Sequence, residues 1–257
     1  MRLRKEEDVT ESNAAANATQ NVVWITGAGS GMGRAVAESA AARGYRVALS
    51  GRRLAALEET ARAVRDVGGT ALVVPLDATN DTEVRSAAEN IEQELGSLTH
   101  LVLSAGVNTP ERYWRDQSMS DFSAIVQTNL VAAASAVSAV LPGMRERSNG
   151  VVVFISSYAG WRFSPDAGVA YSASKSALAS LSESLNAQEN RNGVRACHLC
   201  PGDVDTDFLS MRPRVPGDKE RETMLTPGDI AAAVQFVLDS PRHVTINELV
   251  LSPTKAE

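Results

Sequence analysis

Cysteine and histidine are scarce in this chain, with 2 and 3 copies in 257 residues, and aromatic residues make up only 5%. The two cysteines, Cys197 and Cys200, form one C-x-x-C with no second pair to complete a zinc site. Their segment, Val194 to Cys200, reads as a strand, where positions three apart face opposite sides, so two buried free thiols and no metal centre are expected. No apolar run approaches the roughly eighteen residues of a membrane span, and the N-terminal segment lacks the apolar stretch of a secretory signal. Positive charge is in deficit: 25 Lys and Arg against 31 Asp and Glu leave a formal net charge of -6, which argues against nucleic acid and anionic membranes as general partners. No internal repeat or second domain is visible. A cytoplasmic protein is expected, with a flexible polar tail over residues 1–20 and one folded domain over 21–257.

What is present is enough apolar content, 44%, for one α/β core. Val22 to Ile25 is a continuous buried strand that stops at Thr26, where glycine begins to recur at Gly27, Gly29, Gly31 and Gly33, with Ser30 and Met32 between them. A strong helix former, Arg34 to Arg43, ends at Gly44, and Tyr45 to Ser50 reads as a second strand. Strand, glycine turn and helix together aim backbone N–H groups and the positive end of a helix dipole at one point, where a pyrophosphate can sit. The spacing G-x-G-x-x-G is not met, because its third glycine falls on Met32; the pattern is Thr26-Gly27-x-x-x-Gly31-x-Gly33.

The rest alternates. Strands are expected at Thr70 to Leu76, Leu98 to Leu103, Gly150 to Ile155, Val194 to Cys200 and Glu248 to Leu251. Helices are expected at about Leu54 to Val67, Thr82 to Leu95, Ser120 to Val140, Tyr171 to Glu189 and Ile230 to Leu238. This alternation predicts a single Rossmann-like α/β domain, a doubly wound parallel sheet of about seven strands with helices on both faces.

Several residues carry chemistry. After the second strand, where an NAD site would place a carboxylate, stand Gly51, Arg52 and Arg53; arginine suits a 2'-phosphate, although a surface pair is the plain alternative. Asp77 can accept from an adenine amino group or cap the next helix, a task for which Asn80 or Asp81 is better placed. Asn129, interior to a helix, is either exposed or held by a polar network. Tyr171 and Lys175 are four apart and share a helical face. A phenol near pKa 10 is a poor general base, but a neighbouring ammonium favours its phenolate, and Ser157 at a strand end could hydrogen-bond the same substrate oxygen.

On these motifs the chain resembles the classical short-chain dehydrogenase/reductase family over nearly its whole length. The resemblance implies reversible oxidation of a secondary alcohol or reduction of a carbonyl on a small molecule, with Ser157, Tyr171 and Lys175 as catalytic residues and Asn129 holding a water in a proton relay. Ser157 stands fourteen residues before Tyr171 where the family has thirteen, which a one-residue loop insertion explains; Ser156 is fifteen away. For the cofactor it implies the glycine turn, the Asp77-Ala78 loop, Ser104-Ala105-Gly106, and Pro201-Gly202-Asp-Val204-Asp-Thr206, whose valine backbone and threonine hydroxyl hold the nicotinamide carboxamide. The family pattern Asn-Asn-Ala-Gly is broken by Leu103 and Ser104. NADP(H) is favoured by Arg52 and Arg53, while Ser30, where phosphate-preferring members often carry a base, leaves NAD(H) open.

The ending His243 to Thr254 and Gly51-Arg52-Arg53 are similar to the NADP-dependent 3-hydroxy acid dehydrogenase branch. Residues 207–226 read as a substrate flap. Around the reacting carbon Trp161, Arg162, Phe163, Asn108 to Trp114, Phe208, Leu209 and Met211 are expected, with Arg162, Arg112 or Arg212 available to a carboxylate. Ala- and Ser-rich helices at Phe122 to Val140 and Tyr171 to Leu185 imply a homotetramer, or else a dimer. Two other readings stay open: a non-catalytic NADP-binding sensor of the same fold, and a sugar-nucleotide epimerase or dehydratase of the extended relatives.

Overall fold

A computed structural model describes residues 21–254; the expected tail over 1–20 lies outside them. Seven strands alternate with helices: β1 (Val22–Thr26), α1 (Gly31–Ala42), β2 (Arg46–Gly51), α2 (Leu54–Asp66), β3 (Thr70–Pro75), α3 (Asp81–Leu95) and β4 (Leu98–Leu103). After β4 come α4 (Met119–Val126), a π-helical turn (Gln127–Val131), α5 (Ala132–Glu146), β5 (Gly150–Ile155), α6 (Val169–Glu189), β6 (Val194–Pro201), α7 (Pro227–Leu238) and β7 (Glu248–Leu251). The strands form one parallel sheet in the order β3-β2-β1-β4-β5-β6-β7.

Alternation of side chains along the strands divides the core. Val23, Ile25, Val47, Leu49, Val153 and Leu199 pack under α1, α2 and α7, while Trp24, Ala48, Leu101, Val152 and Phe154 pack under α3, α5 and α6. The chain leaves β1 in one direction through β2 and β3 and returns to its other side at β4, so the carboxyl ends of β1 and β4 flank the switch point where α/β sheets bind ligands.

Several features differ from expectation. The helix expected to end at Val140 runs to Glu146 despite Pro142, because Met144 beyond the proline is fully buried. Its Asn129 sits in the π-helical turn rather than in regular helix. The last helix begins at Pro227, three residues early, because Thr226 and Asp229 form a capping box with proline in the first turn. By length and composition, Met119–Glu146 also reaches what a membrane span requires, contrary to the expectation of no such run; one edge of it, including Ile125, Ala133, Ala136, Val140 and Met144, is buried in the core.

Candidate active site

The glycine turn is built by contact. Gly27 and Gly31 adopt φ of 67° and 52°, a region open to glycine. A Cβ at Gly33 would lie 2.3 Å from the Gly27 carbonyl oxygen, and one at Gly27 would lie 2.8 Å from the Ala105 nitrogen, so turn, α1 and the exit of β4 meet backbone to backbone. Thr26 Oγ1 accepts from the Ala105 N–H at 3.2 Å, a bond across this junction where the family's asparagines are missing. No side chain caps α1 at Ser30, and no acidic residue stands in its first turn, so its N-terminal N–H groups and dipole are directed to the cleft side without a competing carboxylate. These features fit a pyrophosphate-bearing dinucleotide.

At the adenosine end Arg53 Nη2 donates to Ser30 Oγ at 3.2 Å, which brings one arginine to the glycine turn. Arg52 lies near Asp77, whose carboxyl is held below the usual range first by the Thr79 N–H and hydroxyl and then by the Arg52 charge. Asn80 caps α3, accepting from Thr82 and Glu83 N–H groups, so capping is not the task of Asp77.

Asn129 is 2% exposed and clasps one residue: its Oδ1 accepts from the Val107 N–H at 2.8 Å, and its Nδ2 donates to the Val107 carbonyl at 3.0 Å and to Ser174 Oγ at 3.2 Å. It therefore pins the segment after Gly106 to the helix layer. A void of about 10 Å³ beside it is lined by Thr26, Ala78, Ala105, Asn129 and Lys175.

Beyond this, a cleft of about 450 Å³ is lined by Met32, Ser104, Gly106, Ser157, Tyr171 and Lys175, and by Pro201, Gly202, Val204 and Thr206. The ends of β4, β5 and β6 thus converge on one space. Ser156 and Ser157 part ways there. Ser156 is buried with its hydroxyl donating to the Lys175 carbonyl at 3.0 Å, whereas Ser157 begins a helical turn, Tyr158–Trp161, where a loop was expected, and faces Tyr171. Of the two serines, Ser157 is the one that hydrogen-bonds the Tyr171 phenol.

Lys175 Nζ donates to the Ile155 carbonyl at 2.8 Å and lies 5.7 Å from the Tyr171 ring centre; burial pushes its pKa down to about 8. Burial also raises the Tyr171 phenol, and Ser157, Arg112 and Arg212 offset part of that rise, while Asp203 adds to it. The cations that temper the phenol are two arginines that the sequence offered only as carboxylate readers, where the ammonium of Lys175 was expected to do so.

Those arginines divide. Arg112 is 3% exposed and spends its guanidinium on the carbonyls of Thr109, Asp166 and Met211. Arg162 stacks 4.1 Å from the Trp161 ring, and neither residue lines the cleft; Phe163 and Trp114 are more than four-fifths exposed. The expected role of Arg162 and its aromatic neighbours around the reacting carbon is therefore corrected: the turn Tyr158–Trp161 carries them outward. Asn108, Arg112, Tyr113, Phe208, Leu209 and Arg212 do line it, joined by Asp203, Asp166 and Arg214, which sequence reasoning passed over. The flap itself holds a 3-10 turn, Asp207–Met211, and is tied by ion pairs Arg212–Asp203, Arg214–Glu220 and Arg221–Asp205.

Cys197 and Cys200 face opposite sides, as expected. Cys200 instead meets His198 and Glu248, with three potential ligand atoms within 4.8 Å of one another. Its sulfur is 3.3 Å and 3.6 Å from the two nitrogens of the His198 ring, and Nδ1 faces Glu248 at 3.2 Å. The three side chains form a packed polar cluster at the β6–β7 pairing.

Residues 21–214 match the short chain dehydrogenase family. The chain belongs to that family. An uncharacterized oxidoreductase of Staphylococcus aureus strain MW2 is 31% identical over 235 residues, 91% of this chain and 98% of the relative. Another from Staphylococcus saprophyticus is 32% identical over 238 residues, 90% and 97% of the two chains. Among solved structures, an alcohol dehydrogenase of the archaeon Thermococcus sibiricus complexed with 5-hydroxy-NADP superposes with a TM-score of 0.82 at 28% identity, covering 92% of this chain and 99% of that one. An actinorhodin polyketide ketoreductase variant with NADPH gives 0.84 at 25%, covering 92% and 97%. The protein is thus an oxidoreductase of the short-chain dehydrogenase family, with the fold of relatives solved with 5-hydroxy-NADP or NADPH.

Proposed function

We propose that this oxidoreductase interconverts a secondary alcohol and a carbonyl with NADP(H) as its preferred cofactor, on a short hydroxy acid or its oxo form. The observation that carries the reading is the meeting of Ser157, Tyr171 and Lys175 on one cleft that also receives the glycine turn's neighbour Met32 and the β6 exit. Hydride would come from NADPH in reduction and pass to NADP⁺ in oxidation. The chain supplies the proton: the Tyr171 hydroxyl donates it to the carbonyl oxygen in reduction, and the Tyr171 phenolate takes it from the alcohol in oxidation. Ser157 orients that oxygen by a second hydrogen bond. Lys175, buried between the Ile155 carbonyl and the Tyr171 ring, holds the phenol's side of the cleft cationic below its pKa of about 8 and is placed to bind ribose hydroxyls. Asn129 and Lys175 share a void about the size of one water, which suits a proton relay leading away from Tyr171.

The dinucleotide is held by the turn Gly27, Gly29, Ser30, Gly31, Met32 and Gly33, by Asp77 and Ala78, by Ser104, Ala105 and Gly106, and by Pro201, Gly202, Val204 and Thr206. The NADP preference rests on Arg52 and Arg53 bordering Asp77 and Ser30. NADP or NADPH in three of the related structures accords with it. The hydroxy acid is favoured by Arg212 on the substrate side, whose guanidinium has a single carboxylate oxygen as its ion-pair partner among the described residues. A homotetramer in the cytoplasm completes the proposal, since the helical run Met119–Glu146 keeps much of its apolar surface outside the core. The test is NADPH consumption, followed by absorbance, across short oxo acids, ketones and aldehydes, repeated with NADH. Oxidoreductase activity that prefers NADPH supports the reading; binding of NADPH with no turnover of any carbonyl supports the sensor instead.

A further inference from the structure

Three arginines line the substrate side of the cleft, and two of them are committed. Arg112 is buried on three backbone carbonyls. Arg214 forms a two-pronged pair with Glu220 at 2.9 and 2.6 Å, far out in solvent. Arg212 differs. Its side chain is one-third exposed, and among the described residues its guanidinium has one carboxylate partner, a single oxygen of Asp203. It stands at the end of the 3-10 turn Asp207–Met211, which is anchored by buried Leu209 and carries Phe208 to 5.9 Å from the Tyr171 ring centre. Asp203 lies on the turn after β6, between Gly202 and Val204, and its side chain is half exposed.

Resting on the oxidoreductase reading above, we propose that Arg212 is the receptor for a substrate carboxylate and that Asp203 holds its guanidinium until an acidic substrate displaces it. A one-oxygen pair between partly exposed groups is worth little, and Asp203 can return to water when released. A substrate carboxylate can engage both prongs of the fork, which is the stronger arrangement. The exchange also removes from beside Tyr171 a charge that its phenol feels, because the Asp203 carboxylate turns away as the substrate's arrives. Arg212 thereby selects acids, and Asp203 competes with them for its guanidinium.

The experiment compares a short hydroxy acid with its methyl ester, both oxidised with NADP⁺, and reads the ratio of their kcat/KM values. Arg212→Ala lowers the acid-to-ester ratio by about 10- to 100-fold, the span of one charge-assisted bond, and does so through KM. Arg212→Lys restores part of the ratio, and Asp203→Asn raises it by making the guanidinium available. The ester rate in each sample reports folded enzyme; should Arg212→Ala fail to fold, Asp203→Asn decides alone. Ratios that stay within about twofold of the unaltered protein in Arg212→Ala, or in Asp203→Asn, overturn the inference while ester turnover leaves the oxidoreductase reading standing. No turnover of acid, ester or neutral alcohol by the unaltered protein refutes that reading and this inference with it.

Discussion

Replacing Asn129 separates two jobs that one side chain could do. Asn129→Leu keeps nearly the same volume in a site that is 2% exposed but removes the clasp on Val107. The Val107 N–H and carbonyl then lose partners at 2.8 and 3.0 Å in a partly shielded position, while Ser174, which still donates to the Tyr171 carbonyl at 2.8 Å, loses only its role as acceptor. At about 1–2 kcal/mol for each orphaned group, the variant is destabilised by about 2–4 kcal/mol. Because Val107 follows Gly106 on the cleft wall, the KM for both cofactor and substrate should rise as well. Urea unfolding gives the first quantity from the transition midpoint, and steady-state kinetics give the second. A pure water-relay residue would lose turnover at unchanged stability. Destabilisation below about 0.5 kcal/mol would therefore refute the pin, whatever happened to the rate.

Gly33→Ala forces a Cβ to 2.3 Å from the Gly27 oxygen and should destabilise the protein by about 3 kcal/mol or more and abolish NADPH binding, whereas Gly217→Ala, with nothing within 4 Å, should be neutral or slightly stabilising; equal effects in thermal melts would contradict the packing argument. Arg52→Ala and Arg53→Ala should each move the NADPH-over-NADH ratio of kcat/KM towards NADH by about one to two decades, and an unchanged ratio would remove both from the 2'-phosphate. His100, buried beside Tyr45, has its pKa pushed down to about 3 by desolvation, below its ordinary 6.5. The unfolded chain takes up that proton first, so stability falls as pH drops from about 6.5 towards 3, by up to about 1.4 kcal/mol per pH unit. Urea midpoints at pH 7 and pH 5 should differ less in His100→Gln than in the unaltered protein, and equal slopes would refute the assignment.

Much of the site is legible in the chain because local sterics write it there. Gly27 and Gly33 are glycine because backbone occupies the space a Cβ needs, and Tyr171 and Lys175 share a face because a helix turns every 3.6 residues. What stays hidden depends on partners distant in sequence. Arg112 and Arg162 look equivalent as letters, yet one is spent on Thr109, Asp166 and Met211 and the other on Trp161. Asp203 reads as a filler inside Pro-Gly-x-Val-x-Thr until the flap brings Arg212 to it. Pro142 is a sound reason to end a helix at Val140, and the burial of Met144 overrides it. The π-helical turn at Gln127–Val131 has no signature in its composition, and Asn129 is its buried residue.

The central claim is that Tyr171 exchanges the proton at the reacting oxygen. Its most direct measurement is the turnover of Tyr171→Phe with NADPH and an accepted carbonyl substrate, alongside the NADPH dissociation constant of the same preparation. Turnover should fall by at least about 10²-fold with cofactor binding changed by no more than about threefold. Turnover close to that of the unaltered protein would contradict the account.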